Sequence, residues 1–83
     1  MGKKPAIFIV EDEAIVASDI KETLLSLGYE VPGIAKSGEI ALEKIEKFRP
    51  DLVLMDIHLA SQMDGVETAG KIHTLYGIPV IYL

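Results

Sequence analysis

The sequence predicts an α/β fold, a doubly wound parallel sheet covered by helices, and three observations point to it. Short apolar runs rich in β-branched residues alternate with segments whose apolar residues recur every three or four positions. The intervening segments are long enough for helical crossovers, which join parallel strands. The 83 residues are 49% hydrophobic and contain no cysteine, so a packed core rather than a disulfide scaffold must stabilise the chain. We therefore expect a single domain over residues 1–83.

The first predicted strand and helix are separated by acidic residues. Residues 6–10 form an unbroken apolar run, which is typical of a strand buried on both faces of a parallel sheet. The run ends at the acidic triplet of residues 11–13. A helix is predicted over residues 14–27, and Gly28 is its expected stop. Its predicted buried face consists of Val16, Ile20, Leu24 and Leu27.

The second predicted strand is weaker than the first. It covers residues 30–34, where Pro32 indicates an edge position because proline donates no hydrogen bond to a ladder. A second helix is predicted over residues 37–48, with Ser37 at its start and Pro50 beyond its end. The predicted buried residues of this helix are Ala41, Leu42, Ile45 and Phe48.

A third strand and a third helix are predicted on either side of a loop. Residues 52–55 form the strand, which ends at Asp56, and residues 57–64 show no clear period and are predicted to form the loop. Asp64 followed by Glu67 is typical of a capping box at a helix start. The predicted buried residues of the third helix are Val66, Ala69, Ile72 and Tyr76.

A fourth apolar run follows the third helix. Gly77 is the expected stop of that helix, and residues 78–83 are predicted to form another buried strand. The order of elements is therefore β-α-β-α-β-α-β, which is the pattern of a parallel sheet covered on both faces.

The net charge of -5 argues against two broad classes of partner, nucleic acids and anionic membranes. Sequence-independent binding to nucleic acid or to an anionic membrane requires clustered Lys and Arg. Apolar stretches such as residues 6–10 are also far shorter than the ~20 residues that span a bilayer. The basic N-terminus lacks the form of a secretory signal. We expect a soluble, cytoplasmic domain that binds neither nucleic acid nor membrane.

Acidic side chains follow two of the predicted strands. Glu11 and Asp12 come directly after the first strand, and Asp56 follows the third. Ligands of doubly wound sheets bind beyond the carboxyl ends of the strands, so the three acids converge if these strands are neighbours. A favourable interaction with a helix dipole would explain any one of these acids alone. Their coincidence at one edge of the sheet favours a functional site.

The chemistry of that site is narrowed by its ligand types. Three close carboxylates repel one another, so the site requires either a raised pKa or a bound cation. Oxygen ligands without histidine or cysteine suit Mg²⁺. Mg²⁺ beside an exposed aspartate is the apparatus for phosphoryl transfer to a carboxylate.

Other chemistries have little support in the sequence. No glycine-rich turn follows the first strand, which argues against a nucleotide-binding fold. His58 and His73 are far apart and have no cysteine partner, so a zinc site is not expected, and His73 is predicted to lie on a solvated helix flank. No nucleophile elbow is recognisable.

The chain resembles the receiver domain of two-component response regulators. The matching segments are Ile-Phe-Ile-Val-Glu-Asp-Glu at residues 7–13, Gly-Ile-Ala-Lys-Ser-Gly-Glu-Ile-Ala-Leu at 33–42, Pro-Asp-Leu-Val-Leu-Met-Asp-Ile-His-Leu at 50–59, Met-Asp-Gly at 63–65 and Ile-Pro-Val-Ile at 78–81. They occur in the family's order from about residue 6 onward. The resemblance implies a flavodoxin-like receiver fold.

The resemblance also implies a role for each acid. Asp56 matches the phosphoacceptor, and Glu11 and Asp12 match the acidic pair that handles Mg²⁺. Asp12 and Asp56 would bind the metal directly, Glu11 through a water, and His58 through its backbone carbonyl. The implied partner is a histidine kinase or a phosphotransfer protein. The chain would then be a signalling phosphoacceptor, not an enzyme beyond its own phosphorylation and dephosphorylation.

The sequence departs from the family's pattern after its fourth strand. Receivers continue with a Ser or Thr, a helix, a fifth strand followed by a Lys, and a last helix, whereas this sequence stops at Leu83. We therefore expect a truncated receiver without the last strand and the last two helices. The strand at residues 78–83 would then be an exposed edge through which the chain self-associates.

Two alternative functions remain open at this stage. One is a receiver-shaped interaction domain without productive phosphorylation, because the hydroxyl and the lysine of the site are absent. The other is a metal-dependent phosphatase, which ranks last because Ile57 and His58 occupy the positions where a second catalytic carboxylate would be needed.

Overall fold

Strands and helices alternate strictly along the chain. The computed structural model describes residues 4–59 and 63–83, and residues 60–62 of the predicted loop lie outside the described part. The elements are β1 (Ile7–Val10), α1 (Ala14–Ser26), β2 (Ile34–Ala35), α2 (Gly38–Phe48), β3 (Leu52–Met55), α3 (Gly65–Tyr76) and β4 (Val80–Tyr82). This order confirms the predicted alternation.

The strands form one parallel sheet with the order β2-β1-β3-β4. In β1 and β3, Ile7 lies opposite Leu52 and Val10 lies opposite Met55, so the two central strands end at the same level. From β1 the chain first adds β2 on one side and then β3 and β4 on the other, so the strand order switches between β1 and β3. Doubly wound sheets bind their ligands at such a switch point. The α/β fold with a parallel sheet is therefore confirmed.

Side chains of β1 alternate between two cores because successive residues of a strand point to opposite faces. Phe8 and Val10 pack in the larger core, to which α2 and α3 contribute Ala41, Ile45 and Ile72. Ile7 and Ile9 pack on the other face with α1, and the buried residues of that helix are Ala17 and Leu24. Helices thus cover both faces of the sheet.

The second strand is shorter than predicted. Only Ile34–Ala35 pair as a strand, and the upstream part of the predicted strand is reduced to an isolated bridge between Ala6 and Glu30. Pro32 has no N–H to donate and therefore interrupts the ladder. The edge position predicted from this proline is confirmed, because β2 is the first strand of the sheet.

Several residues that were predicted to be buried are exposed. In α1, Ala17 rather than Val16 packs on the sheet, and Leu27 lies beyond the last helical turn as the C-cap. Phe48 is the last residue of α2, where it lies near the Lys47 ammonium. Val66 is in the first turn of α3, on the side away from the core.

The fourth strand is not buried as its apolar pattern predicted, and it is the outer strand of the described sheet, as the family resemblance predicted. Ile78 packs in the larger core, but Ile81, Tyr82 and Leu83 are exposed because β4 is the outermost strand of the described sheet. The uncharged run at residues 78–83 therefore indicated a strand correctly but not its position in the sheet.

The predicted helix boundaries are largely confirmed by their caps. The Ser37 and Asp64 side chains accept hydrogen bonds from Ile40 N and Glu67 N at the starts of α2 and α3. Gly28 and Gly77 have positive φ angles of 94° and 66°, as expected of glycines that end helices. None of the helices in the described residues has the length and apolar character that crossing a membrane requires.

Candidate functional site

The acidic residues emerge side by side because β1 and β3 are paired neighbours. Val10 and Met55 are opposite each other at the ends of these strands. The Asp56 N–H continues the ladder by donating to the Val10 carbonyl at 2.9 Å, and the Glu11 N–H donates to the Ala35 carbonyl at 3.0 Å. Backbone pairing therefore fixes where each acidic side chain leaves the sheet.

Three carboxylates meet at this edge. Glu11, Asp12 and Asp56 each offer an oxygen, and these oxygens lie within 4.8 Å of one another. Glu11 is buried, with 5% of its surface exposed, whereas Asp12 and Asp56 are half-buried and accessible to solvent. The structure thus brings together the three acids that the sequence predicted to converge.

Burial and neighbouring negative charge both raise the pKa of Glu11. Desolvation raises the pKa of the Glu11 carboxyl above 4.5, and the charges of Asp56 and Asp12 raise it further. The Glu13 N–H donates to Glu11 Oε2 at 3.1 Å and opposes this increase by stabilising the carboxylate. A cation placed among the three groups would remove the repulsion.

The Asp56 carboxylate is oriented by the chain that follows it. The His58 N–H donates to Asp56 Oδ1 at 3.0 Å, which holds one carboxylate oxygen against the backbone. The His58 backbone therefore lies beside the acidic site, and the side chain itself is exposed. Whether the His58 carbonyl also serves the site stays a prediction.

Gly65 contributes to the site in a way that the sequence analysis did not identify. Its N–H donates to the Ile57 carbonyl at 3.1 Å, so the start of α3 packs directly on the segment after Asp56. A Cβ at this position would collide with the Asp56 carbonyl oxygen and come within 2.7 Å of Ile57 Cα. The Met-Asp-Gly motif was the available signal, but sequence alone does not show which backbone atoms this glycine approaches.

A second contact that the sequence did not reveal joins α2 to α3. Thr68 is fully buried, and its hydroxyl donates to the Asp64 carbonyl at 2.7 Å. A Cβ on Gly38 would collide with Thr68 Oγ1, so the two helices approach closely at this point. The Met63 N–H also donates to Glu39 Oε2 at 3.2 Å. These contacts connect the start of α2 to the start of α3.

One surface cleft adjoins the acidic site, and another lies at the opposite end of the sheet. A cleft of about 340 Å³ adjoins the acids, with Glu11, Lys21 and Lys36 in its lining. A larger cleft of about 500 Å³ lies near Pro5 and Asp51, at the amino ends of the strands, which is the end of the sheet away from the acids.

His73 is exposed on α3, as predicted. In residues 4–59 and 63–83 neither histidine belongs to a group of potential metal ligands.

Comparisons with known proteins give a consistent result. The family model of the response regulator receiver domain matches residues 7–83. The transcriptional regulatory protein PdtaR of Mycobacterium tuberculosis is 38% identical over 77 residues, which are 93% of this chain and 37% of that protein. The chemotaxis protein CheY of Thermotoga maritima is 38% identical over 72 residues, which are 87% of this chain and 58% of that protein.

A solved structure shows the same similarity in three dimensions. The signal receiver domain of a modulated diguanylate cyclase from Desulfovibrio desulfuricans G20 superimposes with a TM-score of 0.91 and 39% identity, over 95% of this chain and 63% of that one. The chain spans 37% of the length of PdtaR and 58% of the length of CheY, which is less than two thirds of each of these curated relatives.

Proposed function

This chain belongs to the response regulator receiver domain family of two-component signalling, and on that premise we propose that Asp56 accepts a phosphoryl group from a phosphohistidine of a histidine kinase or a phosphotransfer protein. The proposal depends on one observation, the convergence of the Glu11, Asp12 and Asp56 carboxylates within 4.8 Å at the ends of paired strands. Asp56 is the phosphoacceptor in this proposal because it is accessible and its carboxylate is held in place by the His58 N–H.

The residues at the site fit Mg²⁺. The side-chain donors are carboxylate oxygens alone, which Mg²⁺ prefers, and the three carboxylates meet within 4.8 Å. Asp12 and Asp56 would bind the ion directly, Glu11 through a water, and His58 through its backbone carbonyl. When bound, the ion would neutralise negative charge on the phosphoryl oxygens.

The chain's own residues account for the transfer step. An Asp56 carboxylate oxygen attacks the phosphorus of phosphohistidine, an O–P bond forms, and the P–N bond breaks with its electron pair returning to the imidazole. The product is an acyl phosphate on Asp56. Because the His58 N–H holds Oδ1 at 3.0 Å, the carboxylate enters the reaction already oriented.

We expect phosphorylation to be detectable without a protein donor. The chain is incubated with a small acyl phosphate and Mg²⁺, and its intact mass is measured. A single phosphoryl adduct is expected on the unaltered chain and none on Asp56→Asn. Asp19→Asn is the matched control, because Asp19 is an exposed aspartate on α1 away from the acids. An undiminished adduct on Asp56→Asn, or none on the unaltered chain, would contradict the proposal.

Two further parts of the proposal depend on family membership. We assign the chain no catalytic activity toward other molecules, only its own phosphorylation and dephosphorylation, in keeping with relatives that are signalling regulators. A cytoplasmic location is included on the same ground. An interaction domain without phosphorylation is the alternative, and a chain that binds neither Mg²⁺ nor phosphoryl groups would support it.

A further inference from the structure

The first turn of α2 holds the backbone of Met63, which lies just before α3. Glu39 Oε2 accepts a hydrogen bond from the Met63 N–H at 3.2 Å, although the two residues are 24 positions apart in sequence. A Cβ built at Gly38 would lie 3.3 Å from the Met63 carbonyl oxygen. Because Gly38 has no side chain, α2 can approach Met63 closely enough for Glu39 to bind it.

Met63 is connected to the acidic site through the start of α3. Gly65 follows Met63 by two positions and begins α3, and its N–H donates to the Ile57 carbonyl at 3.1 Å. Ile57 lies between Asp56 and His58, whose N–H donates to the Asp56 carboxylate at 3.0 Å. A displacement of Met63 therefore reaches this carboxylate through covalent bonds and two hydrogen bonds that backbone N–H groups donate.

We propose that Glu39 is a positioning residue of the acidic site. It acts through Met63 and not on the reacting atoms, since it fixes the place at which α3 begins. This role rests on the proposed phosphoacceptor function of Asp56, because it concerns the orientation of that carboxylate. Loss of the hydrogen bond to Met63 loosens the segment that follows Asp56 and slows attack on phosphorus, because the attacking oxygen is less well oriented.

A negative charge near the start of a helix also has a simpler explanation. Glu39 is the acidic residue in the first turn of α2, where it interacts favourably with the helix dipole. Two substitutions separate the explanations. Glu39→Gln removes the charge but retains an oxygen that can accept the Met63 N–H, whereas Glu39→Ala removes both. A dipole effect is lost in both variants, and a positioning effect is lost in Glu39→Ala alone.

Amide hydrogen exchange, measured by NMR without metal or phosphoryl donor, tests the positioning directly. In Glu39→Ala the N–H groups of Gly65 and His58 are expected to exchange about two- to tenfold faster, the effect of losing one hydrogen bond of ordinary strength. The Asp56 N–H donates to the Val10 carbonyl within the sheet and should keep its exchange rate. This contrast separates a local displacement from a loss of global stability.

Glu43→Ala is the matched control for the loss of a glutamate from this helix. Glu43 lies one turn after Glu39 on α2, and both side chains are exposed, so neither substitution disturbs the core. Glu43→Ala and Glu39→Gln are both expected to leave the exchange of the Gly65 N–H as it is in the unaltered chain.

The initial rate of phosphorylation tests the consequence for the site. The chain is incubated with a small acyl phosphate and Mg²⁺, and its intact mass is followed over time. Glu39→Ala is expected to be phosphorylated about two- to tenfold more slowly than the unaltered chain, and Glu39→Gln and Glu43→Ala at the unaltered rate. Urea unfolding gives the folded fraction of each variant, so that the rates refer to folded chain.

Three results would overturn the proposal. They are equal exchange of the Gly65 N–H in Glu39→Ala and Glu43→Ala, faster exchange that includes the Asp56 N–H, and an equal loss of phosphorylation rate in Glu39→Gln and Glu39→Ala. If Asp56 of the unaltered chain accepts no phosphoryl group, the proposed function fails, and hydrogen exchange still decides whether Glu39 holds the segment. The two proposals can therefore fail separately.

Discussion

Glu11 shows how a residue can be unfavourable for folding and useful for binding at the same time. It continues β1, so its backbone is fixed by the sheet and its side chain is held at the least accessible position of the acidic group. Burial and two neighbouring negative charges disfavour its ionised form. A bound cation reverses this balance, because it stabilises all three carboxylates at once.

Stability without divalent metal is expected to depend on the protonation of Glu11. Its pKa is raised in the folded chain, so the folded state retains the proton to higher pH than the unfolded state. Protonated Glu11 therefore contributes fully to the stability of the folded chain below pH 4.5. This contribution is lost as the pH rises through the folded-state pKa of Glu11. Glu11→Gln has no such titration, so relative to the unaltered chain this variant should gain stability between acidic and neutral pH.

Urea unfolding in the presence of a chelator measures this difference. The Gln side chain can still accept the hydrogen bond from Glu13 N, which makes the substitution a test of charge. Glu13→Gln is the control, because it removes the same charge from an exposed neighbour outside the group of three carboxylates. The free energy of unfolding is measured at acidic and at neutral pH. If Glu11→Gln differs from the unaltered chain by the same amount at acidic and at neutral pH, the prediction is contradicted.

Gly65 is expected to be intolerant of even one methyl group. A Cβ there meets backbone atoms of Asp56 and Ile57, which cannot rotate away as a side chain would. Gly65→Ala should therefore lower the free energy of unfolding by about 1–3 kcal/mol, the usual cost of overpacking, and it should also slow phosphorylation of Asp56. Both effects are measured on the same protein, by urea unfolding and by intact mass.

Gly70 provides the opposite case in the same helix. Apart from the adjoining backbone of α3 itself, no atom lies within 4 Å of a Cβ built at Gly70, which is an exposed position in this helix. Gly70→Ala should raise stability by about 0.5–1 kcal/mol, because alanine loses less backbone entropy than glycine in a helix. Equal effects of the two substitutions would show that the contact with Asp56 and Ile57 has no energetic importance.

At the scale of elements, the start of α3 is positioned by α2 as well as by its own cap. Gly38 is the first residue of α2 and packs on Thr68 of α3. The Thr68 hydroxyl donates a hydrogen bond to the Asp64 carbonyl, just before α3 begins. Because Asp64 and Gly65 adjoin the segment after Asp56, a displacement of α3 relative to α2 is transmitted to the acidic site. The two helices are thus coupled to the site through one small-residue contact.

A double-mutant cycle tests the coupling between these helices. Gly38→Ala should destabilise the chain by about 1–3 kcal/mol because its Cβ meets Thr68 Oγ1. Thr68→Ala alone removes a buried hydroxyl, and the double variant should be more stable than the sum of the single effects predicts, by roughly 0.5–3 kcal/mol. Additive effects, measured by urea unfolding, would mean that the two positions act independently.

The features that the sequence predicted well are those that depend on a few adjacent residues. The apolar run of β1 and the caps at Ser37 and Asp64 each depend on a few adjacent residues, and the structure confirms them. The burial of Val16 and Val66 was predicted wrongly because spacing identifies an apolar stripe but not which of its residues meets the sheet. β2 was predicted too long because the effect of Pro32 depends on how much ladder remains on either side.

At the scale of the molecule, the acidic site was predictable because parallel topology brings strand ends to one edge. Glu11, Asp12 and Asp56 could be grouped once β1 and β3 were assumed to be neighbours, and the sheet order bears out that assumption. Gly65 and Thr68 could not be found in this way, because their contacts depend on atomic distances between segments far apart in sequence. The apolar pattern of residues 78–83 predicted a buried strand, and only the family resemblance, which implies the sheet order, predicted an edge position for β4.

Mg²⁺ is expected to stabilise the folded chain as a whole. The three carboxylates meet only when β1 and β3 are paired, so the ion binds the folded state in preference to the unfolded chain. At a concentration a hundred times its Kd, a ligand of this kind adds about 2.7 kcal/mol to the free energy of unfolding. Asp12→Asn should abolish this gain, since Asp12 is a proposed direct ligand, whereas Asp19→Asn on α1 should retain it. Urea unfolding of each variant with and without Mg²⁺ measures the gain, and an equal gain in Asp12→Asn and Asp19→Asn would show that the ion acts on general surface charge and not at the acidic site.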